Sequence, residues 1–423
     1  MKIRQALRSS SLKDFSSLFF SNILQKIFGL VREPVIAFFF GSSLLYANYL
    51  LLRTVADFFS QFTVGNALKA NLLPKFTKVF KIHNSISLKK VFSFSKRTML
   101  LLFFLSQLFQ FAIILYLNTE YTLLLSLISV LLSISICFNF LNTIYLTIMQ
   151  AEGKFFNFSV ATSLNSFLVV IFIYPLTYLF NLFGLVVSRL IGILSITFAY
   201  VLPMNKKKDG FEVELNREDL NIATLVLGNF ANIIILSSRF VSGADGGVSI
   251  AYFTYSVFIL NALLTAVVGN ISTLLLRKVS IKKNNIFMLY SVLISVFMGV
   301  FLVLGLEFFG YDLIKIIFMR GEFNLSDVQN TTNFIQSLSY TFVLIFIATS
   351  LFQPFFSLDM ELSKEVRRNI SLVFISSIII GFFISFILNM DMQTESLIMM
   401  SFTSVVSVVL SVYSYVYYLK QNK

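Results

Sequence analysis

Residues 286–306 read IFMLYSVLISVFMGVFLVLGL, a run of 21 residues without a charged side chain. A helix of this length spans about 30 Å, the thickness of the hydrocarbon core of a bilayer. Lys282 and Lys283 precede the run and Glu307 follows it, so charge is confined to its two ends. The stretch therefore predicts a transmembrane helix, and similar runs recur along the whole chain.

The overall composition agrees with this interpretation. Apolar residues make up 57% of the 423 residues and charged residues 13%, about half the charged fraction of a soluble protein. We predict an all-α polytopic membrane protein with about twelve transmembrane helices. The predicted spans are 15–40, 46–73, 95–117, 121–149, 155–179, 182–203, 220–241, 250–276, 286–306, 329–357, 369–389 and 395–418.

The net charge of +13 resides in short loops, which argues against a nucleic-acid partner. Of the 33 Lys and Arg residues, 25 lie in the tails and loops on the side of the N-terminus, and five lie within or near spans. The opposite side holds only Arg239, Lys315 and Arg320. Because cytoplasmic loops retain Lys and Arg, both termini are predicted to be cytoplasmic.

The longest polar connection separates the spans into six and six. We therefore predict an N-terminal six-helix lobe over 1–204, a cytoplasmic linker over 205–219 and a C-terminal six-helix lobe over 220–423. In the loop between spans nine and ten, Tyr311–Arg320 is predicted to form a short helix on the outer surface, ended by Gly321. Residues 326–329 are predicted to be a capping box that opens the next span.

Charged residues inside spans are the best candidates for function, because a charge in hydrocarbon costs at least a few kcal/mol and usually faces a wet cavity or a partner. All of those predicted here lie in the N-terminal half, and the C-terminal spans are predicted to hold none. They are Lys26, Arg32, Glu33, Arg53, Asp57, Lys69 and Arg189, of which Lys69 is near enough to the cytoplasm to reach the headgroups.

Helical spacing predicts how these charges pair. Arg53 and Asp57 are one turn apart, and Lys26 and Glu33 share one helix face. Pro34 is predicted to bend the first span beside Arg32 and to act as a hinge. The remaining positive charge predicts a cationic cavity for an anionic headgroup such as a diphosphate. Arg32, Arg53, Lys26 and Arg189 would bind it, with Glu33 and Asp57 as structural or coupling acids. The alternative is that these charges only pair with each other or reach to headgroups.

Signals for catalysis are missing from the sequence. The single His83 lies in a basic loop, the single Cys137 lies in an apolar run, and no phosphate-binding loop or metal-ligand cluster occurs. We therefore predict that the protein is not an enzyme and needs no metal or cofactor.

Short motifs along the chain resemble the MviN/MurJ lipid II flippases of the MOP flippase superfamily. Span one carries a G-x-x-R-[DE] turn at 29–33 and then Phe40-Gly41. Further matches are 151–155 (AEGKF), 318–323 (FMRGEF) and 355–359 (FFSLD), in the order found in that family. The resemblance implies two six-helix lobes in a V shape, in a bacterial cytoplasmic membrane. It also implies alternating access that moves an undecaprenyl-diphosphate-linked glycan to the outer leaflet.

On this interpretation the partners are membrane lipid, the lipid-linked glycan and enzymes of glycan biosynthesis. The protein would be a monomer, coupled to the membrane potential or a cation gradient. The chain departs from the family at Ala47-Asn48, at Gly65-Asn66-Ala67 and at Tyr255-Ser256, where charged residues are usual, and it lacks the last two spans. Lipid II and a surface-polysaccharide repeat unit therefore both stay open as the glycan. A cation-coupled drug antiporter of the MATE type and a non-transporting membrane scaffold stay open as alternatives.

Overall fold

The computed structural model describes residues 10–63, 66–83, 86–87, 89–205, 211–213, 215, 222–263, 286–356, 358 and 360–421. Nearly all of them are helical, which confirms the predicted all-α class. Helices dominate because a backbone in hydrocarbon must satisfy its own hydrogen bonds. Among the described residues the exception is one parallel pairing between two-residue strands, β1 (Ile86–Ser87) and β2 (Phe211–Glu212).

The helices follow one another with short connections. In the first part of the chain they are α1 (Ser10–Phe40), α2 (Leu44–Thr63), α3 (Asn66–His83), α4 (Lys89–Leu117), α5 (Thr122–Ala151) and α6 (Phe155–Ile196), continued by a π-helix (Thr197–Val201) and α7 (Leu202–Asn205). In the second part they are α8 (Ile222–Gly228), α9 (Phe230–Val241), α10 (Ser249–Leu263), α11 (Ile286–Phe318), α12 (Leu325–Phe356), α13 (Met360–Leu388) and α14 (Met392–Gln421).

Each of the twelve predicted spans coincides at least partly with a helix. Seven helices of the described chain are long and apolar enough to cross a membrane, and α8 with α9 adds an eighth if the pair is one broken span. One of the seven, Phe155–Met204, contains two predicted spans, because Asn181 is non-helical (φ 51°, ψ −135°). The chain folds back there so closely that a Cβ on Gly184 would lie 1.9 Å from the Leu176 carbonyl oxygen.

The predicted outer surface helix is wrong. Residues 311–318 are the end of α11, which continues without interruption from Ile286, because its apolar pattern does not stop at Glu307. The left-handed Gly321 (φ +59°) then turns the chain. The capping box exists but begins two residues earlier than predicted: Asn324 accepts the N–H groups of Ser326 and Asp327, and Asp327 accepts that of Asn324.

The chain packs as two compact units. One comprises residues 1–39 and 55–228, here called unit one, and the other comprises 40–54 and 229–423, here called unit two. The lobes predicted at 1–204 and 220–423 differ from this division, since 40–54 pack with the C-terminal half and 220–228 with the N-terminal half. Most of the predicted linker 205–219 lies outside the described residues, and the two six-helix lobes stay a prediction.

Polar seams join the helices within unit one. The Gln107 amide on α4 donates to the Ser133 hydroxyl on α5 at 2.8 Å, and the Gln110 amide donates to the same oxygen at 3.0 Å. Asn142 on α5 donates to the Ile193 carbonyl of α6 and accepts from the Thr197 hydroxyl. Such bonds and close contacts hold helices together where lipid removes the hydrophobic driving force.

Small residues serve the same purpose in unit two. A Cβ on Gly299 would lie 2.8 Å from Val343, so α11 and α12 approach closely there, and Gly381 brings α13 against Met399 of α14. The Ser295 and Ser350 hydroxyls are 2.8 Å apart. The outward faces of the helices are lined with exposed Leu and Phe side chains, as expected for contact with lipid.

Candidate substrate-binding site

The first helix is anchored to α6 in unit one through a stripe of small polar side chains. The Ser21 hydroxyl donates to the Ser159 carbonyl at 3.1 Å and lies 2.9 Å from the Ser163 hydroxyl. One turn later, the Gln25 amide donates to Ser21 and to Thr162. This stripe orients α1 and thereby places the charged residues that follow it.

Arg32 and Glu33 form an ion pair that the sequence did not predict. The Nε and Nη2 atoms of Arg32 lie 2.9 and 2.7 Å from Glu33 Oε1. The Glu33 side chain is buried, while that of Arg32 stays 31% exposed. The predicted partnership of Glu33 with Lys26 is therefore wrong, because the adjacent guanidinium reaches the carboxylate first. Pro34 lies inside α1, which continues to Phe40, and its role as a hinge stays a prediction.

The Lys26 ammonium is consequently left as an excess positive charge. Its side chain is partly buried, and it forms no ion pair with a described residue. It directly follows Gln25 in α1 and lies near the middle of the predicted span. A charge in this position needs water or an anionic partner.

Two further predicted binding residues lie on α2. Arg53 and Asp57 are both partly exposed and one turn apart. Arg53 belongs to unit two and Asp57 to unit one. Their pairing, and a role of Arg53 in binding, stay predictions.

The fourth predicted binding residue, Arg189, lies on the second segment of α6. Its side chain is partly exposed overall, but its Nε and Nη2 atoms are enclosed by protein. This placement leaves less of the guanidinium available to a ligand than in Arg32. A role for Arg189 in headgroup binding stays a prediction.

The prediction that the C-terminal spans hold no interior charge is wrong. Arg239, counted with the outer-side basic residues at the end of the predicted span 220–241, is 7% exposed in the last turn of α9, and its Nε donates to the Thr54 hydroxyl at 2.7 Å. Arg367, predicted in a cytoplasmic loop, is buried against Phe355 and donates to that residue's carbonyl oxygen. Both residues lie close to predicted span ends, where hydropathy alone does not separate a loop from a buried helix end.

Unit two also contains a compact cluster of side chains at its predicted outer end, here called the socket, and Gly41 packs against it. The socket comprises Tyr46, Tyr252, Tyr255, Phe318, Phe323 and Asp327. Gly41 has a left-handed backbone (φ +48°), and a Cβ there would lie 2.5 Å from the Glu322 carbonyl oxygen. The Tyr255 hydroxyl donates to the Gly41 carbonyl at 2.8 Å. Only glycine combines this φ with this approach. The Phe40-Gly41 pair noted in the sequence is thus a docking point.

A buried carboxylate completes the socket. Asp327 accepts the Ser42 hydroxyl at 2.5 Å and the Tyr252 hydroxyl at 3.2 Å through one oxygen. Its other oxygen accepts the Asn324 N–H at 3.0 Å. The segment that follows Gly41 is therefore tied to α10 and to the start of α12 by a charged acceptor, which makes stronger hydrogen bonds than a neutral one.

Aromatic rings form the wall of the socket. Phe318 and Phe323, the two phenylalanines of the 318–323 motif, are buried and lie 5.1 and 5.2 Å from the Tyr255 ring, centroid to centroid. Tyr46 of α2 stacks on the opposite side of this cluster, 6.1 Å from Tyr255. The motif therefore has a packing role, which its sequence alone did not reveal.

Comparisons with solved structures fit this arrangement. The lipid II flippase MurJ in an inward closed conformation aligns with 94% of this chain and 87% of its own, at a TM-score of 0.76 and 19% identity. The chain has the fold of MOP-superfamily transporters. An inward-facing multidrug-resistance MATE transporter of that superfamily aligns with 94% of both chains at a TM-score of 0.63 and 12% identity. A MOP-superfamily transporter from Pyrococcus furiosus aligns with 96% of this chain and 92% of its own, at 0.57 and 12%.

The likeness to MOP-superfamily transporters lies in the three-dimensional fold, and it agrees with the motifs quoted from the sequence. No protein-family model and no curated protein matches the sequence. The apolar helices and this fold together make the chain a multi-pass membrane protein. No group of three or more His, Cys, Asp or Glu side chains suited to a metal ion occurs in the part of the chain that the structure describes.

Proposed function

We propose that the protein is a flippase for undecaprenyl-diphosphate-linked glycans, working by alternating access in a bacterial cytoplasmic membrane with both termini in the cytoplasm. The observation that carries the proposal is the likeness to a lipid II flippase over 94% of the chain. The glycan would be lipid II or a surface-polysaccharide repeat unit. The protein would act as a monomer beside the enzymes that make the glycan.

The charges of unit one suit a diphosphate. Lys26 has no acidic partner among the described residues, and Arg32 remains partly exposed although Glu33 accepts its hydrogen bonds. A charged hydrogen bond contributes about 1.5–3 kcal/mol when it forms. Two such contacts would hold the headgroup, while the polyprenyl tail stays in lipid.

Outward movement of the headgroup needs a driving force. A membrane potential that is negative inside favours outward movement of an anion by about 2.3 kcal/mol per charge for each 100 mV. A diphosphate carries more than one charge, so the potential alone could supply the drive. Coupling to a cation gradient is the other mechanism that the proposal allows.

The main competing function is cation-coupled export of cationic drugs, since MATE transporters share the fold. Such a substrate needs an available acid. The acids considered for this role are Glu33 and Asp57. Glu33 is buried and paired with Arg32 at 2.7 Å, which disfavours it as a binding site for an organic cation, so the antiporter alternative rests on Asp57. A non-transporting scaffold is the remaining alternative.

The test uses the purified protein in proteoliposomes with a fluorescent undecaprenyl-diphosphate sugar, and chemical quenching reports its transfer between leaflets. We expect wild-type protein to accelerate transfer. In a separate titration of the detergent-solubilised protein with undecaprenyl diphosphate, Lys26→Ala should raise the dissociation constant about tenfold, the effect of one lost charged contact. The double variant Arg32→Ala, Arg53→Ala should lose transfer.

The matched control is Lys96→Ala, which removes an exposed cation before the apolar part of α4. It should leave transfer unchanged. Wild-type transfer by the Lys26 and Arg32/Arg53 variants would overturn the proposed headgroup site. Proton-dependent ethidium transport without lipid transfer would favour the antiporter, and the absence of both activities would favour the scaffold.

A further inference from the structure

A cavity of about 390 Å³ lies within unit two, between the end of α9, the outer half of α13 and the first turns of α14. Phenylalanine rings form most of its wall. Phe240 and Phe382 pack edge to face with their centroids 6.1 Å apart, which fixes the inner wall. The volume falls in the range of small-molecule sites, about 300–1,000 Å³.

Glu395 is the ionisable side chain that lines this cavity, and Ser385 is the other polar one. Glu395 is 6% exposed and lies in the first turn of α14. Its Oε1 atom accepts the Met390 N–H at 2.9 Å. It forms no ion pair with any residue in the described part of the chain, and no described group donates to its second oxygen. A buried carboxylate with half of its acceptors unused favours a cationic ligand.

The cavity is lined by exposed rings of a helix that is apolar enough to cross a membrane. Phe383 and Phe386 on α13 are 62% and 84% exposed although they lie on a membrane helix. Glu395 follows the short connection 389–391, so its carboxylate lies near the headgroups. Ile379, seven residues before Phe386, lies about 10 Å deeper along the helix. The cavity therefore combines a negative charge at headgroup depth with a deeper groove lined by Phe382, Phe383 and Phe386, here called the aromatic slot.

We propose that this cavity binds an aminophospholipid of the surrounding leaflet. The ammonium of the headgroup lies at Glu395, where it forms a charge-assisted hydrogen bond and contacts ring faces. One acyl chain lies along Phe382, Phe383 and Phe386. The charge of Glu395 favours an ammonium headgroup over an anionic one, so the site discriminates between phospholipids that have the same chains. This site uses none of the charges of unit one and does not depend on the proposed transport.

The experiment compares phosphatidylethanolamine with phosphatidylglycerol of identical acyl chains. The purified full-length protein is titrated with each lipid in detergent, and native mass spectrometry counts the lipids retained. We expect wild-type protein to bind phosphatidylethanolamine at least about tenfold more tightly. Glu395→Gln should abolish this preference. The variant keeps an oxygen for the Met390 N–H, so the turn before α14 should remain folded.

A second variant tests the aromatic slot separately. Phe386→Ala should weaken retention of both lipids several-fold and leave the preference between them intact, because it removes chain contacts and no charge. The controls are Phe309→Ala, which removes another exposed ring of the same unit, and Glu307→Gln, which neutralises an exposed acid of the same unit. Both should behave as wild type.

Equal retention of the two lipids by wild-type protein would overturn the proposal, as would a preference that persists in Glu395→Gln. Because the readout is equilibrium lipid binding, these outcomes are independent of whether the protein transports a lipid-linked glycan.

Discussion

At the scale of single residues, three glycines show that a position can require glycine for two different reasons, a left-handed backbone and a close approach of neighbouring atoms. Gly41 combines a left-handed backbone with a close approach to Glu322, Gly153 has the backbone conformation alone (φ +74°), and Gly305 has neither constraint. An L-residue in the left-handed region costs about 1–2 kcal/mol. A Cβ at 2.5 Å from backbone oxygen adds a clash that no flexible side chain can relieve.

We therefore predict a graded series for alanine substitution. Gly41→Ala should lower the thermal unfolding midpoint in detergent the most, and Gly153→Ala should lower it moderately. Gly305→Ala should leave it unchanged or raise it, because alanine is the better helix former by up to about 1 kcal/mol. Equal midpoints for Gly41→Ala and Gly153→Ala would show that the contact with Glu322 contributes nothing to stability.

At the scale of elements, the contact between α2 and α9 depends on a buried hydroxyl. Thr54 donates to the Leu50 carbonyl within α2 and accepts from Arg239 of α9, both at 2.7 Å. Thr54→Val keeps the shape but removes the acceptor from a buried guanidinium. Loss of one partner of a buried group costs about 1–3 kcal/mol, so the unfolding midpoint should fall.

The control for that prediction is Thr254→Val. Thr254 is also buried and donates to the carbonyl four residues earlier, but its hydroxyl accepts from no arginine among the hydrogen bonds described for it. Thr54→Ser, which retains the acceptor, should remain close to wild type. If Thr54→Val and Thr254→Val lowered the midpoint equally, the cost would come from the intrahelical bond and not from Arg239.

At the scale of the whole molecule, the distribution of basic residues predicts which loops face the cytoplasm. The single Cys137 is buried, so wild-type protein should show little background reaction with an impermeant thiol reagent. Ser43→Cys and Glu120→Cys should react in intact cells. Lys78→Cys and Lys154→Cys should react only after permeabilisation, because the segments around them carry the retained positive charge.

All four positions are exposed, so differences in labelling report on the side of the membrane and not on burial. Labelling of Lys154→Cys in intact cells would reverse the predicted orientation of α5 and α6. Labelling of Ser43→Cys and Lys78→Cys from the same side would remove the predicted crossing between them.

The sequence determined much of the local structure. Uncharged runs of about 20 residues locate helices, since a backbone in lipid has few alternatives, and a helix overlaps every predicted span. Asn181 and Gly321 mark reversals, as polar or flexible residues between apolar runs suggest. The motif order along the chain also indicated the superfamily fold that the structural comparison then found.

Span boundaries were less predictable. A hydropathy run does not distinguish lipid from the interior of the protein. For this reason α11 extends through a region predicted as a surface helix, and Arg239, counted with the basic residues of the outer side, is buried at the end of a helix. A buried charge at a helix end and an exposed one leave the same pattern in the sequence.

Only the tertiary structure decided which charges are paired and where the first two helices belong. Helical periodicity places Lys26 and Glu33 on one face. The long Arg32 side chain nevertheless reaches the Glu33 carboxylate and forms the ion pair with it. Periodicity also cannot show that 40–54 pack with residues more than 200 positions later, through Tyr255 and Asp327. The sequence specifies helix faces and depths because these follow from neighbouring residues, whereas partners follow from the packing of distant segments.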